Sequence, residues 1–275
     1  MIDLHTHTTA SDGRCSPASL AVRAAAAGVT VLGVTDHDTV GAADEAAAAC
    51  ASAGIDFVPG IEITAVSNGV DVHVLGYWLD VRSPALQTFL EEQRRRRVDR
   101  LREIVARLAT FGIALDADAL VQPALDDPSK AAGRPWVARA LVAAGHVAST
   151  GMAFDQWLSR GRPAFVPRLA AAPKDVFARI HDAGGLASLA HPGLLRRDEW
   201  IAAFARDGID AIEAYHPEHD ASATGRYLDL ARRYDLRVSG GSDFHGDPAH
   251  GAPDPGSVSL PREAYDRLQQ QRRSA

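Results

Sequence analysis

The chain has 275 residues, of which 46% are hydrophobic and 23% charged, and its formal net charge is −6 with the histidines counted as neutral. This composition is typical of a globular protein with a full core, and the acidic balance excludes a general duplex-DNA binder while leaving room for a local basic phosphate pocket. Two cysteines, no leader-like N-terminal segment and no apolar run of roughly 18 residues predict a cytoplasmic protein without a disulfide framework, a signal peptide or membrane contact.

The first part of the chain alternates predicted strands and helices. Ser16 followed by Pro17 is a good helix start, and Gly28 is placed to end that helix. Residues 67–69, Ser-Asn-Gly, have the composition of a hairpin turn. The predicted strands cover residues 2–5, 29–35, 57–66 and 70–77, and a second helix covers residues 42–53.

The pattern changes after Pro84. One long charged helix is predicted over residues 86–111, and shorter helices over residues 136–144 and 154–158, with no strand before about residue 162. The four arginines at positions 94–97 are interpreted as a solvated face of the long helix or as partners of Glu91 and Glu92. We interpret residues 84–162 as a helical insertion that covers the mouth of a barrel domain formed by residues 1–83 and 163–275.

Strand–helix alternation returns after the insertion, and a short polar helix follows Pro261. Predicted strands cover residues 186–190, 211–214 and 237–242, and predicted helices cover residues 175–183, 199–207 and 221–234. Seven strands that mostly alternate with helices predict an α/β fold with a largely parallel sheet. In a barrel of this kind the ends of the strands gather around one mouth.

Histidines and carboxylates follow most of the predicted strands. His5 and His7 stand two positions apart at a strand end, and Asp243 and His245 repeat this spacing after the last strand. Since residues i and i+2 of a strand share a face, each pair can reach one ion. Histidine and carboxylate ligands without cysteine suit Zn²⁺, Mn²⁺ or Fe²⁺. The pattern predicts a multinuclear metal centre and a metal-dependent hydrolase.

These motifs resemble those of the PHP (polymerase and histidinol phosphatase) family, which is related to the amidohydrolases. The matching motifs are His5-Thr6-His7, Thr35-Asp36-His37-Asp38, Gly60-Ile61-Glu62, His73, Ala190-His191-Pro192 and Ser242-Asp243-Phe244-His245. The resemblance covers about residues 1–80 and 163–250. It implies a distorted seven-stranded (β/α) barrel and two to three divalent metal ions, with Mn, Fe and Zn as the candidates.

The resemblance also implies a ligand set. One ion takes His5, His7, Glu62 and Asp243; a second takes Glu62, His73 and His191; a third takes Asp12, His37 and His245. Some relatives carry histidine in place of Asp12. Asp243 is also expected to hold or accept the proton of a metal-activated water. Asp36 and Asp38 are interpreted as supporting carboxylates, and the histidines that match no motif are His146, His181, His219 and His250.

Phosphate esters suit a centre of several cations, and the family consists largely of phosphoesterases. Lys130, Arg134, Arg160 and Arg162 lie in the predicted insertion near glycine and proline, where they are candidates to bind phosphate; solvated loop charge is the alternative. His216 follows the sixth strand and is a candidate to bind phosphate or to protonate a leaving group, with a buried structural histidine as the alternative. Trp136 is assigned to core packing rather than to base stacking.

The short insertion with its Gly-Arg-Pro segments resembles the PHP branch that acts on nucleoside 3′,5′-bisphosphates. Those relatives remove the 3′-phosphate from a nucleotide such as pAp, and some trim short RNA from the 5′ end. The expected substrate is therefore a small nucleotide or a short RNA. Histidinol phosphate phosphatase is the alternative enzyme, and a non-catalytic PHP module that serves as structure or as a partner surface is the alternative of another class. The native metal and the oligomeric state stay open.

Overall fold

Seven strands form one sheet in which each strand neighbours the next in chain order. The computed structural model describes residues 1–127, 129–247 and 254–272, so His250 lies outside the described residues. The strands are β1 Ile2–Asp3, β2 Val31–Val34, β3 Asp56–Ser67, β4 Val70–Tyr77, β5 Leu186–Leu189, β6 Ala211–Tyr215 and β7 Arg237–Gly240.

The sheet is almost closed into a barrel. All neighbouring strands run parallel except β4, which is antiparallel to both β3 and β5. At the seam between the first and last strands, the N–H of Leu4 donates to the carbonyl of Gly240 at 3.2 Å, and Thr6 forms a parallel bridge with Phe244. The predicted α/β barrel with a largely parallel sheet is thereby confirmed.

Helices surround the barrel, and the described elements between β4 and β5 are all helical. Ser16 caps the first helix by accepting the N–H of Ser19, with Pro17 in the first turn, as the sequence predicts. A π-helical turn, Phe154–Leu158, continues the sixth helix. The α-helices of the described ranges are α1 Pro17–Ala26, α2 Ala43–Ala53, α3 Pro84–Ala109, α4 Ala117–Asp126, α5 Arg134–Ala143, α6 Thr150–Ala153, α7 Pro173–Asp182, α8 Pro192–Leu195, α9 Ile201–Asp207, α10 Ala221–Arg233 and α11 Arg262–Gln270.

Helix α4 is an element that the sequence analysis does not predict. Pro123 lies inside it, and proline normally argues against a helix interior because it removes a backbone donor. In the structure Asp116 caps the helix by accepting the N–H of Ala119, and Val121 and Ala124 are buried. Burial against neighbouring helices therefore outweighs the local penalty of the proline.

The helical segment has a core of its own. Leu101, Ile104 and Leu108 of α3 pack with Val137 and Leu141 of α5 in a cluster separate from those of the barrel. Leu86 and Leu90, at the start of α3, pack instead with Ile61 and Phe177 of the barrel. The division into a barrel and an insertion over residues 84–162 therefore stays a prediction. None of the described helices has the length and apolar character needed to cross a membrane.

Candidate metal centre

The side chains predicted as metal ligands meet at one end of the barrel. Four of the contributing loops follow β1, β2, β5 and β7, and the remaining ligands lie within β3 and β4. The carboxyl ends of parallel strands open on the same mouth, which explains the convergence. The structure brings together His5, His7, Asp12, His37, Glu62, His73, His191, Asp243 and His245.

Glu62 lies at the centre of this cluster and is only 1% exposed. Imidazole nitrogens lie 2.7–3.3 Å from its two carboxylate oxygens and belong to His5, His7, His37, His73 and His191. Burial raises the pKa of Glu62, but the imidazoles outweigh burial and hold it well below the usual range. A buried anion shared by so many rings is suited to bridge two cations.

Asp243 and Asp12 lie on either side of His7. Asp243 Oδ1 lies 3.1 Å from His7 Nε2 and 3.2 Å from His5 Nε2. Asp12 Oδ1 lies 3.3 Å from His245 Nε2 and 3.8 Å from His7 Nδ1. Two groups of four residues therefore each offer ligand atoms within 4.8 Å of one another, namely His5, His7, Glu62 and Asp243, and His7, Asp12, His37 and His245.

The chemistry of this cluster fits bound divalent cations. Both ring nitrogens of His7 and Nδ1 of His37 are buried and make no well-aligned hydrogen bond in the part of the chain that the structure describes, although carboxylate oxygens lie 3.1–3.2 Å from His7 Nε2 and His37 Nδ1. Such atoms are destabilising unless something binds them. Burial lowers the pKa of His37 to about 3, so its ring is neutral and one of its two nitrogens offers a lone pair to a cation. Imidazole and carboxylate without thiolate form a donor set that Zn²⁺, Mn²⁺ and Fe²⁺ accept.

Two buried aspartates hold the ligand-bearing loops in place. Asp36 accepts the N–H and the hydroxyl of Thr8 at 2.8 and 2.7 Å and the hydroxyl of Ser11 at 2.6 Å, which fixes the loop before Asp12. Asp3 accepts the N–H and the hydroxyl of Ser242 at 2.9 and 2.6 Å. Because these bonds fix the backbone next to Asp12 and Asp243, the two candidate ligands are preorganised.

Glu213 of β6 is a site residue that the sequence analysis misses. Its Oε1 lies 2.9 Å from Nδ1 of His5, and its Oε2 accepts the backbone N–H of His191 at 2.7 Å. With Nδ1 bound to Glu213, His5 directs Nε2 towards Glu62. The bond to His191 also stabilises a backbone φ of 27°, which is in the left-handed region. A carboxylate within the sixth strand, three residues before His216, is the available sequence signal.

His216 lies beside Asp243 and is buried. Its Nδ1 accepts the N–H of Glu218 at 3.2 Å, so a neutral ring carries its proton on Nε2, 3.4 Å from Asp243 Oδ2. His219 also has a defined role: Nδ1 donates to the carbonyl of Ala214 at 3.0 Å, and Nε2 accepts the N–H of Gly193 at 3.1 Å. It therefore ties the loop that follows β5 to the end of β6.

The predicted phosphate-binding residues differ in their exposure and in their contacts. The side chain of Lys130 is 39% exposed, and its Nζ lies 4.0 Å from Asp127. Arg160 is exposed and lies over the ring of Phe165, and Arg162 is exposed. Nη2 of Arg134 lies 3.8 Å from Asp71, two residues before His73 on β4.

The interpretation of residues 94–97 as a solvated face is wrong for Arg97. Arg96 does pair with Glu92 at 2.5 Å on the surface. Arg97, in contrast, is 7% exposed; its Nε lies 2.5 Å from Asp38, and its Nη1 donates to the carbonyl of Ala132 at 3.1 Å. The helix turns this arginine towards the barrel mouth.

The insertion also contacts the loop that carries Asp12. Nε1 of Trp136 donates to the carbonyl of Ser11 at 3.2 Å, and the N–H of Ala131 donates to the carbonyl of Ala10 at 2.9 Å. Trp136 packs against the core of the insertion as well. The assignment of Trp136 to core packing is therefore incomplete, since its indole N–H also fixes a ligand loop.

The chain is similar to known proteins over most of its length. A family model described as the PHP domain matches residues 3–127. A 5′-3′ exoribonuclease of Haemophilus influenzae is 35% identical over 253 residues, which cover 88% of this chain and 89% of that protein. A 3′,5′-nucleoside bisphosphate phosphatase of Chromobacterium violaceum is 36% identical over 262 residues, which cover 93% of this chain and 90% of that protein.

A solved structure shows the same similarity in three dimensions. The structure of an amidohydrolase from Chromobacterium violaceum, with bound sulfate and no metal, superposes with a TM-score of 0.86 at 34% identity. The match covers 98% of this chain and 96% of that one. The similarity therefore includes the barrel together with the helical segment.

Proposed function

The chain belongs to the PHP-domain family, and from this premise we propose that it is a metal-dependent phosphoesterase that converts nucleoside 3′,5′-bisphosphates to 5′-monophosphates and phosphate. The observation that carries the proposal is the buried carboxylate of Glu62, shared by five imidazoles, with Asp243 and Asp12 on either side of His7. Similarity to a named bisphosphate phosphatase over nearly the whole chain supports the choice of substrate.

The proposed cofactor is a set of two to three divalent ions, Mn, Fe or Zn. His5, His7, Glu62 and Asp243 would hold one ion; Glu62, His73 and His191 a second; and Asp12, His37 and His245 a third. When bound, such ions lower the pKa of a coordinated water and stabilise the charge on the attacking and leaving oxygens. The proton transfers of the reaction are assigned to side chains of the protein.

Asp243 is the proposed proton-transfer residue, and His216 is proposed to position it. Burial raises the pKa of Asp243, but His5 and His245 outweigh burial and keep this carboxylate ionised as a proton acceptor. In hydrolysis a water oxygen bonds to phosphorus, the bond from phosphorus to the 3′-oxygen breaks, and Asp243 accepts a proton of the water. The proton that Asp243 accepts would then pass to the leaving 3′-oxygen, while neutral His216 donates its Nε2–H towards Asp243 Oδ2, 3.4 Å away, and orients that carboxylate.

Trimming of short RNA from its 5′ end is a second candidate activity. It is favoured by 35% identity to a protein named as a 5′-3′ exoribonuclease. The chemistry would be the same, because the phosphodiester after the first nucleoside takes the place of the 3′-phosphate. One site would then serve both substrates.

The proposal is tested by steady-state kinetics with metal-refilled protein. The substrates are pAp, histidinol phosphate, a short 5′-phosphorylated RNA and a small aryl phosphate. We expect the highest kcat/KM with pAp, since binding of the second phosphate contributes energy that a simple monoester lacks. A preference for histidinol phosphate would contradict the proposal, and no turnover of any substrate would support a non-catalytic module instead.

A further inference from the structure

The segment that follows β5 holds one of the proposed metal ligands in an unfavourable backbone conformation. His191 has a φ of 27° and Arg196 a φ of 54°, both in the left-handed region that favours glycine. The ring of His191 nevertheless reaches the metal cluster, with Nε2 3.1 Å from Glu62 Oε1. Such a conformation persists only where neighbouring groups hold it in place. The contacts of residues 191–198, which we call the His191 loop, therefore decide where this ring lies.

The imidazole of His219 is one of the groups that hold the His191 loop. Its Nδ1 donates to the carbonyl of Ala214 at 3.0 Å, which leaves Nε2 of the neutral ring as an acceptor. The N–H of Gly193 donates to this Nε2 at 3.1 Å. Burial lowers the pKa of His219, which favours the neutral form. Because Ala214 belongs to β6 and Gly193 follows the proposed ligand by two residues, His219 fixes the loop to the neighbouring strand.

Gly193 and His219 also fit each other closely. A Cβ atom at position 193 would lie 2.7 Å from both Cδ2 and Nε2 of His219, which is closer than real Cβ atoms approach other atoms. The same Cβ atom would lie 3.8 Å from the ring of Tyr227, which is ordinary contact. Gly193 is not among the glycines with a positive φ, so its backbone conformation does not require glycine. The imidazole of His219 is therefore what excludes a side chain at this position.

Helix α10 supports His219 from behind and holds the far end of the loop. The ring centre of His219 lies 4.8 Å from that of Tyr227, which is fully buried. The hydroxyl of Tyr227 donates to Asp198 Oδ1 at 3.2 Å, and Nε of Arg226 lies 3.3 Å from Asp198 Oδ2. The helix thus contacts the His191 loop directly at Asp198 and, through His219, at Gly193.

We propose that His219 is a positioning residue for His191 and thereby sets the affinity of the second ion of the proposed set. This inference rests on the cofactors of the proposed function. Glu213 accepts the N–H of His191 at 2.7 Å, and His219 accepts that of Gly193, so two N–H groups of the loop are bound by side chains anchored at β6. When the bond from His219 is removed, the backbone of His191 relaxes towards an ordinary conformation, and its ring moves away from Glu62.

Two substitutions separate the hydrogen bond of His219 from its bulk. His219→Leu removes the acceptor, whereas His219→Gln keeps an acceptor for the N–H of Gly193. We expect His219→Leu to lower the affinity of one ion per chain about 10- to 100-fold, as for other groups that orient a ligating histidine, and His219→Gln to retain most of that affinity. His181→Leu is the matched control, because His181 binds Asp210 at 2.6 Å away from the metal cluster. This control should keep the wild-type affinity.

The readout is the affinity of each ion, measured by competition of the refilled protein with a chelator. Thermal unfolding of the metal-free protein is measured beside it, since a purely structural role lowers the unfolding temperature without changing how tightly the native protein holds its ions. Unchanged affinities in His219→Leu overturn the inference, whatever its unfolding temperature. An equal loss of affinity in His219→Gln, or in the His181→Leu control, overturns it as well.

Gly193 allows a second test that leaves the imidazole in place. Gly193→Ala sets a Cβ atom against His219, so we expect it to displace the loop and to lower the affinity of the same ion about 10- to 100-fold. In a His219→Ala background the ring is absent, and Gly193→Ala should then cause little further loss, because residues in contact are not additive. An equal effect of Gly193→Ala in both backgrounds would show that the fit of these two residues does not matter, and it would overturn the inference.

The failure of this inference can be distinguished from the failure of the proposed function. Metal affinity is measured without substrate, so a loss in His219→Leu that is absent from His219→Gln supports the inference even if the wild type hydrolyses no bisphosphate. Hydrolysis of pAp by the wild type together with unchanged metal affinity in His219→Leu supports the proposed function and overturns the inference. Binding of fewer than two ions by the refilled wild type overturns both the proposed cofactor set and the inference.

Discussion

At the scale of single residues, the central position of Glu62 leads to a direct prediction. The change Glu62→Gln keeps the size of the side chain but removes the negative charge that five imidazoles share. Because a bridging ligand matters more than its supporting residues, we expect kcat to fall by more than about 100-fold. Circular dichroism checks that the fold is retained, and near-normal kcat would contradict the bridging role.

Asp12 offers a more selective change. In the proposed ligand set it serves the third ion, with His37 and His245. Asp12→Ala should therefore lower the metal content by one ion per chain and leave the other two in place. Elemental analysis after refilling with metal measures this directly. Full metal content together with full activity would show that Asp12 is not a ligand.

Glu213 is expected to act by positioning His5 rather than by binding the substrate. Glu213→Gln keeps the shape but weakens the hydrogen bond to Nδ1 of His5. The change should lower metal affinity about 10- to 100-fold, as for other carboxylates that orient a ligating histidine. Competition with a chelator measures the affinity. Asp210→Asn is the matched control, because Asp210 binds His181 at 2.6 Å away from the metal cluster and should leave the affinity unchanged.

The residue pattern explains which parts of the site could be predicted. His5 and His7, like Asp243 and His245, show the two-residue spacing of a strand end, which is visible without a structure. Glu213 stands alone among apolar neighbours in β6, and its spacing to His5 depends on strand order rather than on sequence distance. The sequence shows only a carboxylate inside a strand near His216, and the contact of Glu213 with His5 becomes visible once the barrel brings the two residues together.

At the scale of the elements, the link between α5 and the loop before Asp12 is open to test. Trp136→Phe keeps an aromatic ring but removes the N–H that binds the carbonyl of Ser11. Losing one such bond, about 1 kcal/mol, should weaken binding of the third ion by roughly fivefold. Metal titration checks this. Trp157→Phe is the control, because Trp157 packs on the same core beside Phe111 and should not alter metal binding.

Helical periodicity accounts for both the success and the error in α3. The sequence predicts the long helix well, yet it leaves the orientation of the helix undetermined within a run of four arginines. Gln93, Arg97 and Arg100 continue the spacing of Leu90, Leu101 and Ile104 on the buried face. This three-and-four spacing was available from the sequence. The charge of the arginines concealed it, because arginine is seldom buried without a partner on another element.

At the scale of the whole molecule, metal binding should be coupled to proton release. Burial opposes protonation of His7, but Asp243 and Glu62 outweigh burial and raise its pKa to about 10. Without metal, His7 is therefore protonated near neutral pH, and binding of a cation must displace that proton. Apparent affinity should rise with pH across the neutral range, by up to about tenfold per pH unit for each released proton. Calorimetry in buffers of different ionisation enthalpy counts the protons, and a count of zero would contradict this coupling.

The seam of the barrel gives the metal centre a mechanical consequence. His5 and His7 follow the first strand, whereas Asp243 and His245 follow the last, and few backbone bonds join these strands directly. A cation held by both pairs would join chain segments more than 200 residues apart, as a disulfide does when it closes a long loop. Hydrogen exchange should therefore slow on metal loading at Leu4 and His7, whose N–H groups donate across the seam to Gly240 and Phe244. The ions proposed for catalysis would then also stabilise the closed barrel against opening between its first and last strands.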